Sequence, residues 1–324
     1  MIFNMPEYSD VLKAHDRIKD NINKTPVLTS RTLNERAGAE IYLKCENLQR
    51  VGAFKMRGAF NAISQLDDEQ KSKGVIAHSS GNHAQAVALS AKILGIKATI
   101  VMPETSPKVK VKATRDTYGA NVVKCKNTME ARHKTTEGLI EKHGYTLIHP
   151  YDNENIIAGA GTAALELLKE IYGIDMVFAP VGGGGLLSGT SIASKGFNPD
   201  IKVYGVEPKN VDDAYRSFKS GELKTNETIN SIADGLLTNL SKRTFSIIRK
   251  NVDNIIRVSE KEILEAMRFI WERMKLVVEP SGACSLAGVL SKHVDLGGKK
   301  IGVIISGGNV DLGNFFNKYE KKIS

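Results

Sequence analysis

Four short segments of this 324-residue chain set reactive side chains among residues too small to shield them. In Gly52-Ala53-Phe54-Lys55-Met56-Arg57-Gly58, a lysine lies between Phe54 and Met56. An apolar setting lowers the pKa of an ammonium group and frees the amine as a nucleophile, which suits imine formation with a carbonyl. In His78-Ser79-Ser80-Gly81-Asn82-His83, two hydroxyls, an amide and an imidazole surround a glycine just ahead of a helical pattern. Backbone amides there, with Asn82, suit a carboxylate or a phenolic oxygen, and Ser80 offers a hydroxyl. The plainer reading is a helix cap, with His83 a structural histidine. Gly182, Gly183, Gly184 and Gly185 run without interruption into Leu186. With no side chains in the way, an anion can rest on the N–H groups, and the start of the next helix adds favourable dipole charge. A tight turn needs only one such glycine, so four point to the close approach of a ligand. The last segment is Ser306-Gly307-Gly308-Asn309. A lysine that forms an imine, combined with a phosphate cradle, is what pyridoxal phosphate requires.

The elements that position these segments follow from hydropathy patterning. Short apolar runs at 41–45, 74–78, 98–102, 121–125, 145–148, 176–180, 202–207, 254–258 and 301–305 read as strands. They alternate with helical stretches such as 84–94, 162–172 and 261–275, where Ile263, Ala266, Met267, Ile270 and Met274 recur at helical spacing. That alternation predicts an α/β protein with largely parallel sheets. Each reactive segment then falls just after a strand, and ligands collect at the carboxyl ends of strands in open α/β sheets. The length calls for two lobes. No fixed-period repeat or low-complexity linker divides them, and a strand-rich block at 74–151 is expected to form the smaller lobe, with 1–73 and 152–324 in the larger.

Composition and missing motifs remove whole classes of function. With 41% hydrophobic and 25% charged residues, nine prolines and 29 glycines without a period, the chain is neither disordered nor collagenous. No apolar run approaches the roughly 20 residues of a spanning helix, so no membrane partner is expected. The opening Met1-Ile2-Phe3-Asn4-Met5-Pro6-Glu7 lacks the basic and apolar blocks of a signal peptide, and Cys45, Cys125 and Cys284 form no CxxC pair. Both point to reduced thiols in the cytoplasm. The net charge of +9, from 45 basic and 36 acidic residues, is spread along the chain without an arginine-rich or aromatic-interleaved patch. Nucleic acid is therefore not an expected partner, and small anions are. There is no GxxxxGK[ST] loop, HExxH or GxSxG. Gly159-Ala160-Gly161-Thr162-Ala163-Ala164 fits a loose dinucleotide fingerprint, yet it follows turn-like residues rather than a strand. A ligand sensor using the same pocket without turnover stays as a second class, and Lys55 argues against it.

Taken together and in this order, the four segments resemble those of the serine/threonine dehydratase and serine racemase group of fold-type II pyridoxal phosphate enzymes. The likeness runs from Thr25-Pro26-Val27-Leu28-Thr29-Ser30 through Glu46-Asn47-Leu48-Gln49 to Ser306-Gly307-Gly308-Asn309-Val310-Asp311, nearly the whole chain. Trp271-Glu272-Arg273-Met274-Lys275-Leu276, and Glu207-Pro208 followed by Asp212-Asp213-Ala214-Tyr215, resemble the racemase branch of that group. The resemblance implies a tryptophan synthase β-like fold, with two lobes that each hold a mostly parallel twisted sheet flanked by helices. It implies interconversion of L- and D-serine with side elimination to pyruvate and ammonia. The alternative is a threonine, serine or 3-hydroxyaspartate dehydratase with little racemisation. A homodimer acting on a small amino acid is also implied.

Residue by residue, the resemblance implies that Lys55 forms the imine and moves the Cα proton on one face, with Ser80 as acid/base on the other. Gly182, Gly183, Gly184, Gly185 and Leu186 would hold the cofactor phosphate, Asn82 the ring hydroxyl and Ser306 the pyridine nitrogen, with Phe54 packed on the ring. A neutral serine cannot hold that nitrogen protonated as a carboxylate can, which suits racemisation and elimination and disfavours transamination. Ser79, Asn82 and His83 would receive the substrate carboxylate, with Arg132 and Thr238 nearer its side chain. Glu207, Asp213 and the Val211 carbonyl match a divalent-cation site for Mg2+, with Ca2+ or Mn2+ as substitutes; oxygen ligands suit such ions. Gln85, Tyr118 and Asn309 match positions that contact ATP as an effector. Two departures from the group's pattern are Ala53, where many relatives carry serine, and the pair Tyr151 and Thr238, which differ from some racemases.

Overall fold

The computed structural model describes residues 4–79, 81–106 and 111–313. Two sheets organise them. The larger contains β1 (Val27–Leu28), β2 (Glu40–Cys45), β7 (Met176–Pro180), β8 (Lys202–Pro208), β9 (Asn254–Val258) and β10 (Lys300–Ile305), in the order β1-β2-β10-β7-β8-β9. The smaller contains β3 (Val75–His78), β4 (Ala98–Pro103), β5 (Asn121–Cys125) and β6 (Thr146–Leu147), in the order β5-β4-β3-β6. All pairings are parallel except β1 with β2. Each strand expected from an apolar run is present within a residue or two. The two-residue β1 carries no run to betray it.

The larger sheet is covered on both faces, which is why its strands are almost wholly apolar. Along β7, Met176 and Phe178 enter one core while Val177 and Ala179 enter the other; along β10, Ile301, Val303 and Ile305 face the first and Ile304 the second. This is the two-residue alternation of a strand, with both sides buried. Register places the ends of the strands together: Ile305 pairs with Cys45, and Pro180 with Val206. The loops after β2, β7 and β10 therefore leave from one edge.

Three helices meet behind that edge. The glycines of the loose dinucleotide pattern lie inside the helix Glu154–Glu170, not in a strand-to-helix turn. A Cβ on Gly159 would lie 2.7 Å from the Arg57 carbonyl oxygen, and one on Gly161 2.6 Å from that of Gly189. Both glycines let this helix lie backbone to backbone against the helices Lys55–Ser64 and Gly185–Phe197. At the same junction sits a buried ion network. Arg57 Nε and Nη2 donate to Glu46 at 2.7 Å each, and Nη1 and Nη2 donate to Glu166 at 2.8 Å each. Lys44 Nζ, 2.7 Å from Glu166, completes a set of two cations and two anions. Burial alone pulls the guanidinium down, but the two carboxylates outweigh it and hold it above its usual range.

The smaller sheet packs its main core against Met56, Ala59, Phe60 and Ile63 of the Lys55 helix and Ala84, Val87 and Ala91 of the helix Asn82–Ile93. The three cysteines are buried and unpaired. No helix among the described residues is long and apolar enough to cross a membrane.

Candidate active site

Lys55 opens its helix after a turn built on two left-handed residues, Val51 at φ 56° and Gly52 at φ +67°. The strain at Val51 is stored where the chain must reverse sharply to present the lysine. This turn is stitched to the loop after β10: Ala53 bridges Gly307, Phe54 N–H donates to Ser306 O at 3.0 Å, and Gly308 N–H donates to Gly52 O at 2.9 Å. The first and fourth reactive segments are thus one structural unit. Lys55 keeps some exposed surface, but its amine is crowded by protein atoms, and burial lowers it from 10.5 to about 8. The Nζ donates to Pro150 O at 2.8 Å and lies 5.1 Å from the Phe54 ring centroid. A backbone carbonyl cannot compensate an ammonium charge as a carboxylate does, so the neutral amine is favoured.

Asn82 begins the helix after β3 and faces the same unit. Its Nδ2 donates to Glu279 Oε1 at 2.7 Å, and its Oδ1 accepts from Asn309 Nδ2 at 2.8 Å. Asn309 Nδ2 also donates to Val51 O at 2.6 Å. Glu279 was not singled out from sequence. Its only local signal is an acid between Val278 and Pro280 in an apolar stretch, and its partner is 197 residues away. Gly307 has no side chain because a Cβ there would collide with Glu279 Oε1. Ser79 Oγ accepts from the Gly81 N–H at 3.2 Å. Ser80 lies outside the described residues. The His83 side chain is structural: Nε2 meets Ile148 O at 2.7 Å, and burial holds the ring well below its usual pKa. The bare Nδ1 has no partner.

The tetraglycine run leads into the helix Gly185–Phe197, whose N-terminus has no side-chain cap. Gly184 is left-handed at φ +88°. The other three glycines answer to close neighbours. A Cβ on Gly182 would be 2.8 Å from Leu236 Cα, one on Gly183 would enter the Tyr151 ring, and one on Gly185 would be 2.9 Å from Tyr151 Cβ. Thr244 Oγ1 donates to Gly183 O at 2.9 Å and pins the loop from behind. The result is a buried run of amides at an uncapped helix start, which is an anion site. Ser306 is buried beside Ser281, with Oγ 3.4 Å from the Ser281 carbonyl.

The remaining expected residues surround this centre unevenly. Arg132 donates Nη2 to Asn127 at 3.3 Å, and its buried Nε has no partner. Thr238 is exposed, two residues beyond the Leu236 that backs Gly182. Gln85 is buried one turn beyond Asn82, and Tyr118 packs against the smaller sheet's core. No hydrogen bond links Gln85, Tyr118 and Asn309 to one another among the described residues. Behind the cradle, Glu207 accepts the N–H groups of Ala214 and Tyr215 at 3.1 and 2.9 Å, and Asp213 Oδ2 accepts that of Leu240 at 2.9 Å. Val211 is buried between them in sequence. Burial first, then Asp213, pushes Glu207 well above the usual carboxylate range, and burial raises Asp213 to about 6. Asp213 Oδ1 is buried without a partner. Two raised carboxyls with an orphaned oxygen fit a hard cation. Among the described residues no cluster of three or more His, Cys, Asp or Glu side chains could hold a metal, so backbone carbonyls would complete the shell.

Three imidazoles from separate elements lie close together, two of them, His133 and His149, not singled out from the sequence. The ring of His78, at the end of β3, lies 5.0 Å from that of His133 and 6.3 Å from that of His149. His149 Nδ1 accepts the N–H groups of Tyr151 and Asp152 at 3.3 and 2.8 Å, so its proton resides on Nε2.

A lysine whose neutral amine is favoured, joined to a buried hydroxyl, and a run of uncapped amides are the groups a pyridoxal phosphate site requires. The pyridoxal-phosphate dependent enzyme family matches residues 18–307, and the chain belongs to that family. Its fold is fold-type II, as the sequence resemblance implied. The chain is 54% identical over 309 residues to the L-threo-3-hydroxyaspartate ammonia-lyase of Saccharomyces cerevisiae, covering 95% of this chain and 94% of the relative. It is equally 54% identical over 309 residues to the serine racemase of Dictyostelium discoideum, covering 94% of each. The crystal structure of that Dictyostelium enzyme superposes with a TM-score of 0.91 at 53% identity, covering 95% of this chain and 99% of the other.

Proposed function

We propose that the chain is a pyridoxal phosphate-dependent amino-acid racemase with ammonia-lyase activity, interconverting L- and D-serine and dehydrating serine to pyruvate and ammonia. The observation that carries this reading is the Lys55 amine, lowered to about 8 and facing a backbone carbonyl instead of an acid, on a turn joined to the Ser306 loop. Bound at this site, pyridoxal phosphate supplies the electron sink that acidifies the Cα–H bond. The chain's own groups do the rest. The tetraglycine amides hold the phosphate, Leu186 follows them, Phe54 packs on the ring, and Ser306 offers its hydroxyl to the ring nitrogen. Asn82, pre-oriented by Glu279 and Asn309, keeps its second amide hydrogen for the phenolic oxygen. Lys55 moves the Cα proton on one face and Ser80 on the other; racemisation needs both, while elimination needs only Lys55. Net elimination converts serine to pyruvate and ammonia without an oxidant.

Further parts of the reading rest on the same likeness. Ser79, Asn82 and His83 receive the substrate carboxylate at the start of the helix Asn82–Ile93, which has no side-chain cap. Glu207, Asp213 and the Val211 carbonyl would hold Mg2+, or Ca2+ or Mn2+ in its place, and the orphaned Asp213 Oδ1 supports this. ATP acts as an effector at Gln85, Tyr118 and Asn309, and the enzyme is a cytoplasmic homodimer whose small lobe spans 74–151. The test is chiral resolution of the products from L-serine, with and without Mg2+ and ATP. D-serine together with pyruvate supports the reading, and pyruvate without D-serine removes the racemase claim. Ser80→Ala is expected to lose racemisation while retaining elimination; equal loss of both would remove the two-face assignment.

A further inference from the structure

We infer that His149 is a positioning residue for the Lys55 amine and the tetraglycine loop, acting through the backbone turn that its imidazole closes. The inference rests on the proposed reading and adds to it a residue that works through its neighbours.

The segment 148–152 leads from the smaller sheet to the larger and touches both groups on the way. At its start, Ile148 N–H donates to Ile76 O of β3 at 2.9 Å, and Ile148 O meets His83 Nε2 at 2.7 Å. Two residues on, Pro150 O accepts from Lys55 Nζ at 2.8 Å and is the one acceptor hydrogen-bonded to that amine among the described residues. Next, the Tyr151 ring fills the space that a Cβ on Gly183 would need, and a Cβ on Gly185 would lie 2.9 Å from Tyr151 Cβ. Asp152 then reaches Arg243 at 3.5 Å, beside the Thr244 that pins Gly183 O. Successive residues thus hold the lysine and shape the loop, so whatever fixes the backbone between them fixes both.

That backbone is fixed by one atom. His149 Nδ1 accepts Tyr151 N–H at 3.3 Å and Asp152 N–H at 2.8 Å, two and three residues along the chain. Among the described residues neither N–H has a second acceptor. Asparagine and aspartate close such turns with a side-chain oxygen at the same δ position, and here an imidazole nitrogen takes its place. Pro150 stiffens the turn, because its ring fixes φ. The imidazole also packs edge-on against the Tyr151 ring at 4.7 Å. Burial lowers His149 to about 4, so the Nδ1 lone pair stays bare at neutral pH. Without that lone pair the Pro150 carbonyl and the Tyr151 ring lose their common anchor, and the lysine amine loses the acceptor that orients it.

The experiment measures kcat and KM for pyruvate formation from L-serine at saturating cofactor, together with the pyridoxal phosphate Kd, on the full-length parent and three variants. His149→Leu removes the acceptor. His149→Asn returns one to the δ position, and His149→Gln carries the same amide one carbon too far. His149→Leu and His149→Gln should lower kcat by at least about tenfold, with KM within about threefold of the parent's, because a reacting group misplaced by about 1 Å loses rate more than affinity. Both should raise the cofactor Kd by about fivefold or more, and His149→Asn should recover kcat and Kd to within about threefold of the parent's. Where His149→Leu does not fold, the comparison of His149→Asn with His149→Gln decides. A histidine kept for packing alone would be replaced better by glutamine, the nearer in volume, and that order overturns the inference. So does a His149→Gln protein with the parent's kcat and Kd. A parent that forms no pyruvate from L-serine sinks the proposed reading instead, and the order of the variants' cofactor Kd values still decides the role of His149.

Discussion

Replacing Gly183 by alanine probes the proposed phosphate cradle at its tightest point. The new Cβ would stand 2.5 Å from Tyr151 Cγ and closer still to two other ring carbons. Ordinary carbon–carbon contact is about 3.5–4.0 Å, so ring and loop must separate by about 1 Å or more. Neither can easily yield. Tyr151 packs edge-on to His149 at 4.7 Å, and its own N–H is anchored to His149 Nδ1. Gly183 O is held by Thr244, and the neighbouring Gly184 is constrained at φ +88°. Overpacking of this kind costs about 1–3 kcal/mol of folding stability. Displacing the amides also loses one hydrogen bond to phosphate, about 1.5–3 kcal/mol, which raises the cofactor Kd by roughly 10- to 150-fold. Urea unfolding of the cofactor-free protein reads the first quantity, and spectroscopic titration with pyridoxal phosphate reads the second. Adding Tyr151→Ala to Gly183→Ala should restore part of both, with a coupling of about 1 kcal/mol or more. A Gly183→Ala protein that binds cofactor like the parent, or strict additivity in the double variant, would refute the reasoning.

Three further outcomes follow from charge. Because the Lys55 amine is lowered to about 8, cofactor-free protein should react with pyridoxal phosphate increasingly through that pH; a midpoint near the ordinary 10.5 would contradict the burial argument. The linkage has a definite sign: between 8 and 10.5 the unfolded lysine holds a proton that the native one has lost, so this group's contribution makes stability rise with pH across that window. Glu166→Leu leaves Arg57 and Lys44 with one carboxylate fewer in a buried network and should cost about 3–5 kcal/mol by urea unfolding, a loss below about 1 kcal/mol showing the network to be slack. Mg2+ or Ca2+ should raise the Tm of the parent and not of Asp213→Asn; an equal rise in both would place the cation elsewhere.

Much of the fold was legible because parallel strands buried on both faces leave unbroken apolar runs, and nine of these appear where β2 to β10 stand. The reactive segments were legible for a different reason: glycine runs and a lysine between apolar residues are unusual locally, without reference to any partner. What stayed hidden depends on pairing across the chain. Asn82 finds Glu279 and Asn309 at separations of 197 and 227 residues, and no local pattern announces either bond. The turn before Lys55 was hidden too, since it places a β-branched Val51 at φ 56°, where propensity argues against it. The imidazoles of His78, His133 and His149 looked unrelated because they sit on β3, on a helix and on the loop after β6, and only the closure of the smaller sheet joins them.

The helix that carries Lys55 serves both sheets, and the two attachments differ in kind. Met56, Ala59, Phe60 and Ile63 pack into the smaller sheet's core, and apolar contacts of that sort can slide by small steps. Arg57 is fastened by paired hydrogen bonds to Glu46, which follows β2, and to Glu166, on a helix against the larger sheet. Charged groups in a dry interior cannot part without leaving a buried charge uncompensated. Lys55 must therefore keep its position relative to the tetraglycine cradle and Ser306, all on the larger sheet's side. Ser79 and Asn82 ride on the smaller sheet, tied across the cleft by the bonds of Asn82 to Glu279 and Asn309. On the proposed reading, the groups that receive the substrate carboxylate then ride on the smaller sheet, while Lys55 is fastened to the larger one.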